Sequence, residues 1–151
     1  MPGIAVAAAR HVRGLVTDSF HKTIAGFALI TDDEGRVLMV RNAIGRRVWT
    51  LPGGRIERDE RPHDGVVREV REETALEIRV ERLVVVDVGR ADTVMLTFRC
   101  AIVGGELRPA PGEIAAARWT TDEDLDREHE RRRRVVRLAR SARDGEVHYI
   151  G

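Results

Sequence analysis

Several features that would define a protein class are scarce in this chain of 151 residues. There is a single cysteine, Cys100, so no disulfide can form within the chain. Its apolar, strand-like surroundings predict a packed thiol rather than a nucleophile. Aromatic residues make up only 4% of the chain, and no apolar run approaches the length of a membrane span. These absences predict a cytoplasmic protein without a membrane segment.

Charged residues are abundant, at 34% of the chain, but they nearly cancel to a net charge of +1. The overall charge therefore gives no reason to expect a nucleic acid or a membrane as partner. One basic run, Arg131 to Arg134, could in principle contact RNA. Acidic residues precede it and aromatic neighbours are missing, so the sequence favours an exposed, self-compensated helix.

Local patterns predict the order of the secondary structure. The apolar runs Ile24 to Thr31 and Arg36 to Arg41 flank the turn residues Asp32 to Gly35, which predicts a β-hairpin. A proline suited to a first helical turn, followed by valines at helical spacing, predicts a helix from Pro62 to about Thr74. Residues 49–51 are expected to be extended, and Pro52-Gly53-Gly54 breaks this short segment. Strands are predicted over 78–88, 93–103 and 118–119, with an edge strand over 146–150. Thr120 and Glu123 have the spacing of a capping box, and a charged helix, broken at most once, is predicted over 126–142.

The alternation of strands, helix, strands and helix predicts the α+β class, with helices packed on a mixed sheet. The chain is long enough to bury one core, so residues 1–151 are expected to form a single domain.

Three carboxylates, those of Glu69, Glu72 and Glu73, share one sector of the predicted helix. Such like-charged neighbours cost roughly 0.2–0.5 kcal/mol per exposed pair, and the helix dipole disfavours anions near its C-terminus. Two compensations remain open at this point. Arg68 and Arg71 can form ion pairs with the carboxylates, or a hard divalent cation such as Mg²⁺ or Mn²⁺ can bind among them.

The preceding segment Pro52-Gly53-Gly54 favours a bound cation over ion pairs alone, because glycines permit close backbone approach and a carbonyl can join a metal site. A fixed spacing runs from these glycines through the helix, at Gly54, Glu60, Arg68, Glu69, Val70, Glu72, Glu73 and Leu76. This spacing resembles the signature of the Nudix (MutT-like) hydrolases. One position departs from the signature: Ala75 replaces a glycine that would cap the helix in a left-handed conformation, at a cost of roughly 1 kcal/mol.

The resemblance covers about residues 22 to 125 and implies a Nudix fold, a three-layer α/β/α sandwich with a mixed β-sheet. It implies a metal site made by Glu69, Glu72, Glu73 and the Gly54 carbonyl, occupied by Mg²⁺ with Mn²⁺ as an alternative. Glu60 and Arg68 would be structural partners. The implied reaction is attack of water on a phosphorus of a diphosphate. Its catalytic residues would be Glu69, Glu72 and Glu113. Glu113 is the leading candidate for general base, with a solvated loop glutamate as the open alternative. Glu69 could itself act as base, and Glu57 lies in the loop near Gly54.

Substrate contacts are expected from the loop before the glycines. Arg41 and Arg47 could meet a phosphate and Trp49 could stack on a base, although solvated arginines and a core tryptophan stay open alternatives. The implied substrate is a nucleoside diphosphate-linked compound or a nucleoside triphosphate. The alternatives are a non-catalytic binding module with the same fold, or a hydrolase of RNA 5′-pyrophosphates or caps. By analogy with the family, a homodimer is also considered.

Overall fold

A computed structural model of the chain describes residues 22–90 and 92–151. Residues 1–21 of the predicted domain lie outside the described residues. The strands are β1 (Thr23–Ile30), β2 (Val37–Asn42), β3 (Trp49–Thr50), β4 (Gly53–Arg55), β5 (Leu76–Arg90), β6 (Thr93–Gly105), β7 (Ile114–Thr120) and β8 (His148–Ile150), and the helices are α1 (Pro62–Thr74), α2 (Asp122–Asp126) and α3 (Glu130–Ser141).

The strands form one sheet in the order β4-β1-β6-β5-β8 and a second in the order β3-β2-β7. β1 runs parallel to β6, and β5 runs parallel to β8, while the remaining pairs are antiparallel. This mixture of parallel and antiparallel strands, with few helices, confirms the predicted α+β class and mixed sheet.

Helices cover both faces of the sheet layer. The apolar side chains of α1 pack in one core cluster with Ala28 and Ile30, whereas those of α3 pack in a second cluster with Leu29. Because successive residues of a strand point to opposite faces, this alternation places α1 and α3 on opposite sides of β1. The arrangement is the predicted three-layer sandwich.

The predicted hairpin between β1 and β2 is wrong, although both strands and their turn form. In the turn, the Gly35 N–H donates to the Asp32 carbonyl at 3.0 Å. Beyond it the two strands join different sheets, and only the isolated bridge between Thr31 and Val37 connects them. The physical reason is that β4 and β6 occupy both edges of β1, so no edge is left for β2.

The helix that carries the glutamates spans Pro62–Thr74, as the proline and the valine stripe predict. It ends at Ala75, which adopts the left-handed conformation with φ 60° and donates its N–H to the Arg71 carbonyl. Ala75 is the only residue other than glycine with positive φ in the described ranges. The expected left-handed cap is thus present, without the glycine that would adopt it at no cost.

Two local predictions need correction. Pro52-Gly53-Gly54 does not simply end a strand, since Gly53–Arg55 forms β4 against β1. The helix cap is Thr121, whose hydroxyl accepts from the Asp124 N–H, because Thr120 is the buried last residue of β7. The charged helix is broken at 127–129 into α2 and α3, and β8 forms the predicted edge strand. No helix within 22–90 or 92–151 is long and apolar enough to cross a membrane.

Candidate active site

The two glycines before the loop lie directly against two glutamates of α1. The Gly53 N–H donates to Glu73 Oε2 at 2.9 Å. At Gly54, a methyl group in place of the hydrogen would stand 2.7 Å from Cδ of Glu69. Gly53 itself has φ 144°, and a side chain there would collide with the carbonyl of Gly26 on β1. Glycine at both positions therefore lets β4 approach β1 on one side and the carboxylates on the other.

Glu73 lies at the centre of a group of like charges. Its side chain is buried, and burial is the main reason that its pKa rises from 4.5 to about 7. Repulsion from Glu69, Glu113 and Glu72 adds to this rise, while the Gly53 N–H opposes it. The charges of three neighbouring glutamates thus disfavour the ionised form of Glu73.

Glu113 reaches this group through the backbone of the loop between β6 and β7. The Ala110 N–H donates to the Glu73 carbonyl at 2.9 Å, and the Glu113 carbonyl accepts from Ala43 N–H at 2.8 Å. The loop also pairs with the last turn of α1, because Arg108 N–H donates to the Thr74 carbonyl at 2.8 Å. The bonds from Arg108 and Ala110 satisfy carbonyls that a helix end leaves open, and they hold the loop that carries the exposed Glu113 beside α1.

Arg68 binds three glutamates at once. Two parallel bonds of 2.9 and 3.0 Å join its Nε and Nη2 to Glu60, and Nη1 donates to Glu69 at 2.9 Å and to Glu72 at 3.1 Å. The Arg68 hydrogen bonds, together with the Glu57 N–H, lower the pKa of Glu60, and the carboxylates raise the pKa of Arg68. Glu60 and Arg68 thus couple the loop after β4 to the helix.

The suitability of these residues for a metal can be judged from the donors themselves. Within residues 22–90 and 92–151, no three Asp, Glu, His or Cys side chains are already arranged around a common metal position. Glu69 and Glu72 instead face the Arg68 guanidinium. The glutamates around Glu73 are nevertheless suited to a hard cation. Carboxylate oxygens are the ligands that such cations prefer, and a divalent ion would relieve the repulsion at Glu73. A bound ion would compete with Arg68 for the two carboxylates.

The predicted substrate residues are only partly brought together. Arg41 and Trp49 are paired across β2 and β3, with the Arg41 guanidinium 5.4 Å from the centre of the Trp49 ring. A residue that the sequence did not single out, Arg118 of β7, lies closer to that ring, at 4.1 Å. Trp49 is half-buried and packs against the core. Arg46 and Arg47 are exposed in the loop, and neither forms an ion pair with any described residue.

A cavity of about 110 Å³ lies between the sheet and α3. Within it, the carboxylate of Asp87 is buried and forms an ion pair with Arg131, whose Nε donates at 3.1 Å. No local pattern predicts this pair, because Asp87 and Arg131 are far apart in the chain. Pockets that enclose a whole ligand usually measure about 300–1,000 Å³, so this cavity admits only part of one. Its apolar walls include Phe27, Met39, Leu51, Met95, Val135 and Val136, and Thr50 also lines it.

The basic run on α3 is largely engaged within the protein. Arg131 pairs with Asp87, Arg132 lies 3.9 Å from Glu128, and Arg133 donates to the Asp126 carbonyl at 2.9 Å. These contacts agree with the expected self-compensated helix.

Comparison with known proteins identifies the family. The family model described as NUDIX domain matches residues 21–139, so the chain belongs to the Nudix family, as the glycine and glutamate spacing predicted. It is 38% identical over 104 residues to a MutT-like protein of Streptomyces ambofaciens, a match covering 68% of this chain and 65% of that protein. It is 33% identical over 129 residues to putative nudix hydrolase 1 of Caenorhabditis elegans, covering 83% of this chain and 35% of the relative. The chain therefore spans less than two thirds of the length of either relative.

The fold resembles that of an ADP-ribose pyrophosphatase from Streptococcus suis, with a TM-score of 0.71. The two share 23% sequence identity, and the alignment covers 85% of this chain and 98% of the other. The likeness supports the fold assignment made from the strands and helices.

Proposed function

We propose that the protein is a divalent-metal-dependent hydrolase that cleaves a phosphoanhydride bond in a nucleoside diphosphate-linked compound or a nucleoside triphosphate. The observation that carries the proposal is the convergence of Glu69, Glu72, Glu73 and Glu113 beside the Gly53–Gly54 backbone. Family membership supports the reaction class, because Nudix hydrolases cleave pyrophosphate bonds and generally use divalent metals.

In this proposal Glu69, Glu72, Glu73 and the Gly54 carbonyl hold Mg²⁺ or Mn²⁺. When bound, the metal would neutralise phosphate oxygens and lower the pKa of the attacking water. Glu73 is held in place by the Gly53 N–H, and Gly54 leaves room for the carboxylate of Glu69. Arg68 and Glu60 act as positioning residues, since their two-point pair fixes the loop against α1.

The proton acceptor is assigned to Glu113. Its side chain is exposed, unlike that of Glu73, and it approaches the carboxylate group from a separate loop. A solvent-accessible carboxylate that is not needed as a ligand is free to accept a proton from water. Glu69 is the alternative base, but its bond to Arg68 favours a role in binding.

Substrate binding is assigned to the loop and strands beside the site, with Arg41, Arg47 and Trp49 as contacts. Arg47 is exposed and has no carboxylate partner among the described residues, which leaves its charge available to a phosphate. Trp49 is half-buried beside Arg41 and Arg118, and its exposed part is assigned to stacking on a base. We further propose that residues 1–151 form one domain and that the protein is located in the cytoplasm. We also propose that two copies of the chain can form a homodimer.

A panel of nucleoside triphosphates, dinucleotides and nucleoside diphosphate sugars, each tested with Mg²⁺ and with Mn²⁺, tests the reaction class. Release of phosphate, pyrophosphate and nucleotide products should identify at least one substrate whose turnover stops when EDTA is added. RNA carrying a 5′-triphosphate belongs in the same panel. Turnover of that RNA alone would favour the alternative RNA hydrolase, and turnover of nothing would favour a binding module.

A further inference from the structure

Three arginines from three different elements lie around Trp49 and Glu128. They are Arg41 of β2, Arg118 of β7 and Arg132 of α3, here called the arginine cluster. The guanidinium groups of Arg41 and Arg118 lie 5.4 and 4.1 Å from the centre of the Trp49 ring. Arg118 and Arg132 share one acid, Glu128, at 3.0 and 3.9 Å. Within the described residues the cluster therefore has three positive charges and one carboxylate.

The cluster is also short of hydrogen-bond acceptors. The Nε atoms of all three arginines are covered by protein, and none has a hydrogen-bond partner within the described structure. Most buried donors in proteins are paired, so three unpaired donors in one place are unusual. The Trp49 ring offers only the weaker attraction of a π face. Elsewhere on α3, by contrast, Arg131 has a carboxylate partner of its own.

The arginine cluster remains accessible to a ligand. The side chains of Arg118 and Arg132 are 34% and 30% exposed, so part of each can be reached from solvent although Nε is covered. Arg132 also lines the cavity, as does Thr50, the residue after Trp49. The same segment continues through Leu51 and Pro52 to the Gly53 N–H that holds Glu73. Trp49 and Gly53 are four residues apart in the chain, so at most roughly 14 Å separates their backbones.

We propose that the arginine cluster binds a second anionic group, a phosphate or a carboxylate, carried by the part of the substrate that lies away from the glutamates. The inference rests on the proposed function and narrows its substrate class to diphosphates whose attached moiety bears a further negative charge. Guanidinium groups suit this task because they form paired, charge-assisted bonds with phosphate and carboxylate oxygens. An anion that contacts the exposed parts of Arg118 and Arg132 would balance the excess positive charge of the cluster.

Fluorescence of Trp49 tests the anion site without any need for hydrolysis. The chain has two tryptophans, so Trp119→Phe leaves Trp49 as the only indole. We expect titration with inorganic phosphate or acetate, at constant ionic strength set by chloride, to change Trp49 emission saturably. Arg118→Gln and Arg132→Gln should weaken that binding roughly tenfold or more, as loss of one charge-assisted contact predicts. Arg134→Gln, an exposed arginine of the same helix, is the matched control and should have no effect.

The melting temperature of the chain with both tryptophans provides a second readout that does not depend on the Trp119→Phe change. Phosphate should raise it, and Arg118→Gln should abolish the rise while Arg134→Gln preserves it. The anion site is overturned if neither readout responds to phosphate or acetate. It is also overturned if all three arginine variants respond alike, since the effect would then be general screening of charge.

Kinetics distinguish an anionic group of the substrate from free phosphate. For a substrate with a charged attached moiety, Arg118→Gln should raise KM roughly tenfold and leave kcat nearly unchanged, because a contact made equally in ground and transition states is lost. A substrate with an uncharged moiety should keep its KM. Binding of phosphate without this difference in KM would overturn the substrate assignment. Failure of hydrolysis altogether would contradict the proposed function and leave the fluorescence result intact.

Discussion

The backbone N–H of Gly53 donates a 2.9 Å hydrogen bond to the carboxylate of Glu73, which lies 20 residues further along the chain. The bond joins β4 to the last turn of α1. It also partly compensates a carboxylate whose burial and charged neighbours favour the protonated form. The candidate site is thus built on an electrostatic conflict that the metal-free fold only partly resolves.

The pH dependence of stability should reveal this conflict. The pKa of Glu73 is about 7 in the folded protein and 4.5 as its ordinary value, so the protonated carboxyl stabilises the fold below about pH 4.5. That stabilisation is lost as pH rises through 7. Glu73→Gln keeps an acceptor for the Gly53 N–H and removes the charge. In EDTA, its free energy of unfolding relative to the unchanged chain should rise by about 2 kcal/mol between pH 5 and pH 8.

Urea denaturation at the two pH values measures this change. Glu123→Gln, which alters an exposed glutamate paired with Arg127, is the control and should show no comparable trend. A pH-independent difference between Glu73→Gln and the unchanged chain would contradict the prediction.

Gly54→Ala should impair catalysis more than folding. The added methyl group would stand 2.7 Å from the Glu69 carboxylate, which must move, although the end of a flexible side chain can yield. Because displacement of a catalytic group by about 1 Å can cost roughly a hundredfold in rate, kcat should fall at least tenfold. Gly104→Ala is a matched control, since its methyl would meet the flexible Glu77 carboxylate at 2.8 Å. Equal kcat values for the two variants would argue against the role of Gly54.

Glu60→Gln should separate positioning from metal binding. The change weakens the two-point pair with Arg68, so Arg68 and the loop lose their fixed position and kcat should fall. Glu60 is not a proposed ligand, and calorimetric titration should therefore find nearly unchanged affinity for Mn²⁺. A loss of Mn²⁺ affinity as large as that in Glu72→Gln would instead place Glu60 among the ligands.

Ala75→Gly should stabilise the protein. Ala75 is exposed and holds φ at 60°, a conformation that glycine adopts without steric cost. The free energy of unfolding should increase by about 1 kcal/mol in urea denaturation. Ala115→Gly, at an exposed strand position with negative φ, should decrease it by about 0.5–1 kcal/mol. A destabilised Ala75→Gly variant would show that the side chain contributes contacts that outweigh its backbone strain.

The parts of the fold that depend on near neighbours could be predicted from the sequence. Helix α1 follows from Pro62 and the valine spacing, and the left-handed end at Ala75 follows from the family pattern. The partner of β2 could not be predicted, because four consecutive buried residues, Val37 to Val40, fit either sheet equally well. Choosing between β1 and β7 requires knowing that both edges of β1 are taken.

In the candidate site, too, contacts between near neighbours in the chain could be predicted and contacts between distant residues could not. Spacing along one helix places Glu69, Glu72 and Glu73 together. The approach of Glu113 depends on backbone bonds from Ala110 and Ala43, which carry no pattern in the sequence. The arginine cluster is still less predictable, since its members come from β2, β7 and α3 and meet only through Trp49 and Glu128.

Parallel measurement of Mn²⁺ binding and hydrolysis in Glu72→Gln tests the central claim most directly. Glu72 and Glu123 are both exposed glutamates paired with an arginine four positions away in the chain, so Glu123→Gln is the matched control. We expect metal-dependent hydrolysis of a diphosphate compound by the unchanged chain and by Glu123→Gln. In Glu72→Gln, Mn²⁺ affinity should fall and kcat should drop roughly a hundredfold, because the metal loses a ligand. Absence of turnover for every diphosphate compound, together with unaltered Mn²⁺ binding in Glu72→Gln, would contradict it.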